Sequence, residues 1–279
     1  MPTFLKTQSR SMHPIGIVGP DESGYPDLVE RLGARLSEQG PTATVRQSAG
    51  GDDTAGQRYR DAGATAAYQV GDDGWCVAAE RPSVRDLLED LAPAYDYAVF
   101  DGFSEADVPT IVVGDAEYEG EALQEAASAD AVDVEAAVAD LAETEPFENL
   151  ASLVARVKQS PEAPKSGAIA TFTGRVRAKE DDDDTPTEYL EFEQYDEVAA
   201  DRFDGIKADL EARDGVFEVV MHHRTGVVPY GEDIVFVVVL AGHRDEAFAT
   251  VEDGINRLKA EVPIFKKEVT VAEEFWAHQ

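Results

Sequence analysis

The stretch IVFVVVLAGHRDEAFATVEDGINRLKAEVPIFKKEVTV, residues 234–271, carries the strongest structural signal in the chain. Its opening, IVFVVVL, is apolar at every position, so both faces of a strand made from it need cover. Such a run reads as a central strand. Residues 247–258 read as a helix, closed by Pro263, whose ring fixes φ and whose nitrogen has no proton to donate. Residues 264–271 then read as a returning strand. Working backwards, residues 167–176 (GAIATFTGRV) and 217–222 read as strands, and 188–194, with alternating YLEFE, as a half-exposed strand. Residues 198–210 read as an amphipathic helix. A further helix over 147–157 ends before Pro161 and Pro164. This is an α+β pattern with its own core.

The first half reads differently. Residues 15–19 (IGIVG) form a short buried strand, followed by a glycine-containing turn and then Leu28, Val29, Leu32 and Leu36 at helical spacing. A strand–loop–helix opening is typical of an α/β domain. Strands over 66–70, 75–79, 97–100 and 110–113 and a helix over 84–91 continue it. Asp101-Gly102 follows a strand, where α/β folds place ligand-binding loops. Residues 116–145 are rich in Ala, Glu and Asp with few large apolar side chains, and read as an acidic helical connector. The expected organisation is therefore 1–115, an α/β domain; 116–145, the connector; and 146–279, an α+β domain.

Charge narrows the function. The chain has 24 Lys and Arg against 57 Asp and Glu, a formal net charge of -33. Periodic apolar segments argue against an acidic disordered chain. Adaptation to a high-salt cytoplasm is the expected explanation, because a Debye length of ~3 Å at 1 M salt screens the self-repulsion. Nonspecific binding to nucleic acid or anionic membrane needs a basic surface, which this composition does not supply. No stretch approaches the ~18 apolar residues of a membrane span, and the first residues lack a long apolar signal core. The single cysteine, Cys76, excludes a disulfide framework within the chain. The expected compartment is the cytoplasm.

Positive charge is scarce, so its clustering is informative. Three of the eight lysines, Lys259, Lys266 and Lys267, fall within nine residues, with Arg257 beside them. A helix–turn–strand return can bring Lys259 and Lys266 toward one pocket. Arg175 and Arg177 end another strand, His243-Arg244 follow a third, and His223-Arg224 follow a fourth. Any one of these is as readily a surface cation pairing with a carboxylate. Together they point to an anion site, since phosphate and carboxylate need forked guanidinium and point ammonium donors. A lysine crowded by other cations also has its neutral form favoured, as a base or nucleophile requires. The run Glu180–Asp184 reads as a solvated loop rather than a metal site, because adjacent carboxylates repel without converging.

The strings GAIATFTGRVR, YLEFEQYDEVA and HHRTGVVPYGEDIVFVVVLAGHRDEAFATVEDGINRLKAEVPIFKKE, with Phe275-Trp276, resemble the molybdopterin synthase large subunit over about residues 146–279. The resemblance implies an α/β-hammerhead type of fold for this half. It implies conversion of cyclic pyranopterin monophosphate to molybdopterin by sulfur transfer. The sulfur would come from the thiocarboxylated Gly-Gly C-terminus of a small ubiquitin-like partner subunit, with no cofactor or metal. The second half contains no cysteine, consistent with an outside sulfur source. The resemblance further implies catalytic roles for Lys259 and Lys266, and substrate contacts from Arg175, Val176, Arg177, Lys267 and Glu268. His243 and Arg244 would bind substrate from the neighbouring subunit of a homodimer, within a heterotetramer. A noncatalytic cofactor-binding or scaffold protein is the alternative.

Residues 15–36, DTAGQRYRDAGA and YDYAVFDGF resemble, more weakly, the P-loop adapter of molybdopterin guanine dinucleotide synthesis. Gly19 and Gly24 keep the loop spacing. Tyr25 and Pro26 stand where a working P-loop has Lys and Ser or Thr, and Asp21 and Glu22 would repel phosphates. A degenerate P-loop-like domain with no nucleotide bound is expected.

Overall fold

The computed structural model describes residues 11–20, 25–47, 54–72, 74–118, 120–271 and 274–278. Two compact units divide between Phe147 and Glu148. Each of four buried apolar clusters draws its residues from one unit alone.

The first unit runs β1 (His13–Val18), α1 (Tyr25–Ser37), β2 (Thr42–Arg46), α2 (Thr54–Asp61), β3 (Ala67–Gly71), β4 (Gly74–Ala78), α3 (Val84–Leu91), β5 (Tyr97–Asp101), β6 (Thr110–Val113), β7 (Ala122–Ala126) and α4 (Val134–Ala142). Five strands form a parallel sheet in the order β2-β5-β1-β6-β7. The central strands are buried almost throughout, as expected when helices cover both faces. Leu28, Leu32 and Leu36 of α1 pack with Val138 and Leu141 of α4 on one side, while Leu88 of α3 packs with Phe100 and Phe103 on the other. A Cβ on Gly16 would stand 2.5 Å from Thr110 Oγ1, so the close approach of β1 to β6 requires glycine there. Strands β3 and β4 pair separately as an antiparallel hairpin.

The connector expectation for 116–145 is corrected. Residues 122–126 are strand β7, paired with β6, and 134–142 are helix α4, capped by Asp133 through the Ala136 amide. Ala137, Val138 and Leu141 are enough to bury one face, so this acidic stretch belongs to the first unit. At the carboxyl end of the sheet, Tyr25 opens α1 with its side chain buried and its hydroxyl directed toward Gly102. Asp101 is buried beside Arg46, whose Nε lies 3.4 Å from Oδ2. Gly24, with Asp21 and Glu22, lies outside the described residues.

The second unit begins with α5 (Leu150–Lys158). It continues through β8 (Ala168–Arg175), β9 (Thr187–Gln194), α6 (Asp196–Glu211), β10 (Val216–His223), β11 (Gly226–Pro229), β12 (Asp233–Ala241), α7 (Arg244–Glu261), β13 (Ile264–Thr270) and β14 (Glu274–His278). Two antiparallel sheets form, in the orders β10-β12-β8 and β11-β9-β13-β14. Eight of the nine β12 residues are buried. Period-two alternation sends Val235, Val237, Val239 and Ala241 to the cluster shared with α6 and α7. It sends Phe236, Val238 and Leu240 to the cluster shared with α5. Burying each large side chain contributes about 1.5–3 kcal/mol. No helix among the described residues is long and apolar enough to cross a membrane.

Because neither core borrows side chains from the other unit, residues 148–279 are expected to fold when expressed alone. A single cooperative urea transition and dispersed amide resonances in molar KCl are the expected result. A fragment that stays unfolded there, while the full chain folds, would contradict the separation.

Candidate active site

Part of each of three cation clusters meets in the second unit. Helix α7 ends at Glu261, Pro263 prevents its continuation, and β13 returns antiparallel to β9. Lys259 sits in the last turn of α7. Lys266 and Glu268, two residues apart on β13, share one face of the strand. All three side chains line a cavity of about 770 Å³, together with Arg175 and Arg177 from the end of β8. Its apolar side is built from Phe172, Leu190, Ile234, Val235, Ile255 and Leu258.

The cations are held loosely. Arg175 Nε lies 3.0 Å from Asp233 Oδ1, its cross-strand partner, and Nη2 donates to the Gly231 carbonyl. Arg177 Nη2 donates to Glu180 Oε1 at 2.7 Å, with both side chains largely exposed. Exposed pairs of this kind contribute little, so an incoming anion displaces them at small cost. Lys266 Nζ stands 3.7 Å from Glu268 Oε2, and Glu268 also accepts from the Thr187 hydroxyl. The expectation of a lysine crowded by cations alone is therefore corrected: a carboxylate stands beside Lys266.

The cavity takes in residues that sequence reasoning had set elsewhere. Glu180 and Asp184 of the acidic run line it, and Asp184 Oδ2 accepts from the backbone N–H groups of Glu180 at 3.0 Å and Asp181 at 2.9 Å. Lys179 lines it too, its Nζ donating to the Asp182 carbonyl at 3.0 Å. His223, read from the sequence only as a strand-end cation, is buried in the cavity lining. Its Nδ1 lies 2.8 Å from the Arg224 carbonyl, and the Phe192 ring packs edge-on at 4.9 Å. Burial lowers its pKa to about 4, against a weaker raising effect from that carbonyl. The sequence signal for this role is the strand register, which turns His223 inward and Arg224 away to Glu232.

Four expected site residues stand outside the cavity. Val176 is a core side chain whose backbone pairs with Glu232 and Gly231. Lys267 points to the other face of β13, with Nζ 3.5 Å from Glu191 Oε2 on the paired strand. His243 and Arg244 are exposed at the start of α7. A rise of 1.5 Å per residue separates Arg244 from Lys259 by roughly 22 Å along the axis.

A family model described as the MoaE protein matches residues 142–261, an interval that holds Arg175, Arg177, His243, Arg244 and Lys259 and ends before Lys266. A probable molybdopterin synthase of Haloferax volcanii is 51% identical over 268 residues, covering 96% of this chain and 99% of that protein. The chain belongs to the molybdopterin synthase family. The molybdopterin synthase catalytic subunit of Pyrococcus abyssi is 34% identical over 128 residues, covering 46% of this chain and 82% of its own length. Among solved structures, Bacillus subtilis MobB superposes on 48% of this chain and 98% of its own, with 19% identity and a TM-score of 0.34. That likeness is too slight to add to the reading of the first unit, which rests on its own sheet.

Two adjacent histidines give this family member a pH signature. His222 stacks on Phe236 (centroids 6.3 Å apart), and burial lowers its pKa to about 3, helped by His223, Arg156 and Arg224. Both imidazoles are neutral in the folded state at pH values where the unfolded chain, near 6.5, takes up protons. Stability is therefore retained above pH 6.5 and lost as pH falls toward 4, by up to about 1.4 kcal/mol per pH unit for each histidine. Urea titrations between pH 7 and 4.5 are expected to show a shallower loss in His222→Gln than in the wild type. The difference between the two chains isolates the imidazole from the many carboxylates, and parallel curves would contradict the assignment.

Proposed function

We propose that this chain is the catalytic subunit of a cytoplasmic molybdopterin synthase, converting cyclic pyranopterin monophosphate to molybdopterin with sulfur from the thiocarboxylated C-terminus of a small ubiquitin-like subunit. One observation carries the reading: in a chain of net charge -33, Lys259, Lys266, Arg175 and Arg177 line a single cavity. The substrate phosphate and the tail carboxylate are anions, and a concave cationic site concentrates both. The α/β-hammerhead type is the architecture this reading assigns to the second unit.

The chemistry follows from the donors present. The tail's sulfur forms a bond to a substrate carbon as a carbon–oxygen bond at that carbon breaks, the departing oxygen keeping the electron pair and taking a proton. A second tail delivers the second dithiolene sulfur in the same way. Water then breaks the bond between each sulfur and its tail's carbonyl carbon, leaving the tail as a carboxylate. Negative charge develops on the carbonyl oxygen during that step, and Lys259 and Lys266 are the ammonium groups placed to stabilise it. Arg175 and Arg177 hold the phosphate through forked contacts. Val176 fixes the strand end that carries both arginines, and Lys267 braces β13 against β9. His243 and Arg244, exposed far from Lys259 in the same protomer, serve the cavity of a second copy in a homodimer, with a small subunit on each half of the resulting heterotetramer.

Full-length protein mixed with thiocarboxylated small subunit and cyclic pyranopterin monophosphate in molar KCl is expected to yield molybdopterin. Lys259→Ala and Lys266→Ala are each expected to lower kcat by about 10²-fold or more without changing the melting temperature. Near-normal turnover in both variants would remove the two lysines from the mechanism. Substrate binding without turnover in the wild type would favour a noncatalytic carrier.

A further inference from the structure

The carboxylate and imidazole acceptors lining the cavity divide into two kinds. Three carboxylates are already engaged: Glu180 by Arg177, Asp184 by two backbone N–H groups, and Glu268 by Thr187 and Lys266. His223 is different. A backbone carbonyl only accepts hydrogen bonds, so the contact of Nδ1 with the Arg224 carbonyl places the imidazole proton on Nδ1. Nε2 then carries a lone pair, and no partner for it exists among the described residues. Burial keeps the ring neutral, so this lone pair remains an acceptor throughout the physiological range.

The surroundings say what kind of ligand reaches it. His223 lines the same cavity as Phe172, Leu190, Ile234 and Val235, the last its cross-strand partner, whereas Arg175 and Arg177 stand in solvent at the end of β8. A ligand suited to both parts has an anionic end and a flat body that sheds water and still offers an N–H. A Gly-Gly tail brings no apolar surface to the apolar lining. A reduced pterin bearing a phosphate brings both.

We infer that His223 Nε2 is a specificity-determining acceptor for the pterin ring, taking a hydrogen bond from a ring N–H or the exocyclic amino group while the phosphate lies against the arginines. The inference rests on the synthase reading above. His223 is a positioning residue in this account and moves no proton, because a base this weak gains little from taking one up.

The test uses the full chain with its small subunit. His223→Phe, which fills the volume and removes the acceptor, is expected to raise KM for cyclic pyranopterin monophosphate about tenfold. Its kcat and its KM for the small subunit should stay near wild type. His223→Gln, whose amide oxygen also accepts, is expected to recover most of the loss. An unchanged KM for the pterin, a raised KM for the small subunit, or a fall in kcat alone would each overturn the inference. A direct reading comes from the 15N resonance of His223 Nε2 in the wild type, identified by its absence in His223→Gln. Saturating cyclic pyranopterin monophosphate is expected to shift it toward the hydrogen-bonded range, and a resonance that does not move overturns the proposal even if His223→Phe fails to fold. Molybdopterin formation by the wild type in the same assay separates the two levels. If the wild type turns over and the variants match it, only the inference about His223 fails; if the wild type makes no product, the synthase reading fails, and the resonance still decides whether His223 meets the pterin.

Discussion

Strand β12 must bury both of its faces, and the layers of the second unit follow from that requirement. One face takes α6 and α7, the other takes α5, and β8 and β10 pair along its edges. With α7 fixed against β12 and β8, its last turn is fixed too. Gly254 permits this approach, since a Cβ there would stand 3.0 Å from Val237 Cγ1 and 3.4 Å from Leu210 Cδ1. Lys259 is thereby held in place by packing along the length of α7. Strand β13, redirected by Pro263 and paired with β9, delivers Lys266 to the same cavity.

Electrostatics then gives the cavity its meaning. Most of the surface of this chain repels anions, and the arginines and lysines of the second unit form a local exception. Their existing partners, Glu180 beside Arg177 and Asp233 beside Arg175, are exposed and exchangeable. Both arginines are thus paired with carboxylates that a more tightly bound anion can replace. High salt screens the long-range repulsion of the chain for its ligand while leaving short forked contacts less affected.

Much of this arrangement was legible in the sequence, for identifiable reasons. The apolar runs IVFVVVL, YAVF and TIVV behind β12, β5 and β6 carry few polar side chains, and their burial on two faces follows. Pro263 marked the turn that unites Lys259 with Lys266. What escaped notice depended on weaker signals. Residues 122–142 bury alanines, valines and one leucine, so their composition reads as a connector where β7 and α4 complete the first unit. The inward turn of His223 depends on strand register, which one residue of slip reverses. Lys267 and Val176 neighbour cavity-lining residues in sequence but alternate away from them in space, as a strand demands. His243 and Arg244 lie a helix length from Lys259, and nothing among the described residues joins them to the cavity.

The anion site proposed for this family member is the cavity between the end of α7, β13 and the end of β8. A crystal structure of the full chain soaked with cyclic pyranopterin monophosphate in molar KCl measures this most directly. The account predicts phosphorus density within hydrogen-bond reach of Arg175 or Arg177, with the ring over Leu190 and Ile234. Ordered substrate in the first unit, with the cavity around Lys259 and Lys266 holding only water, would contradict it.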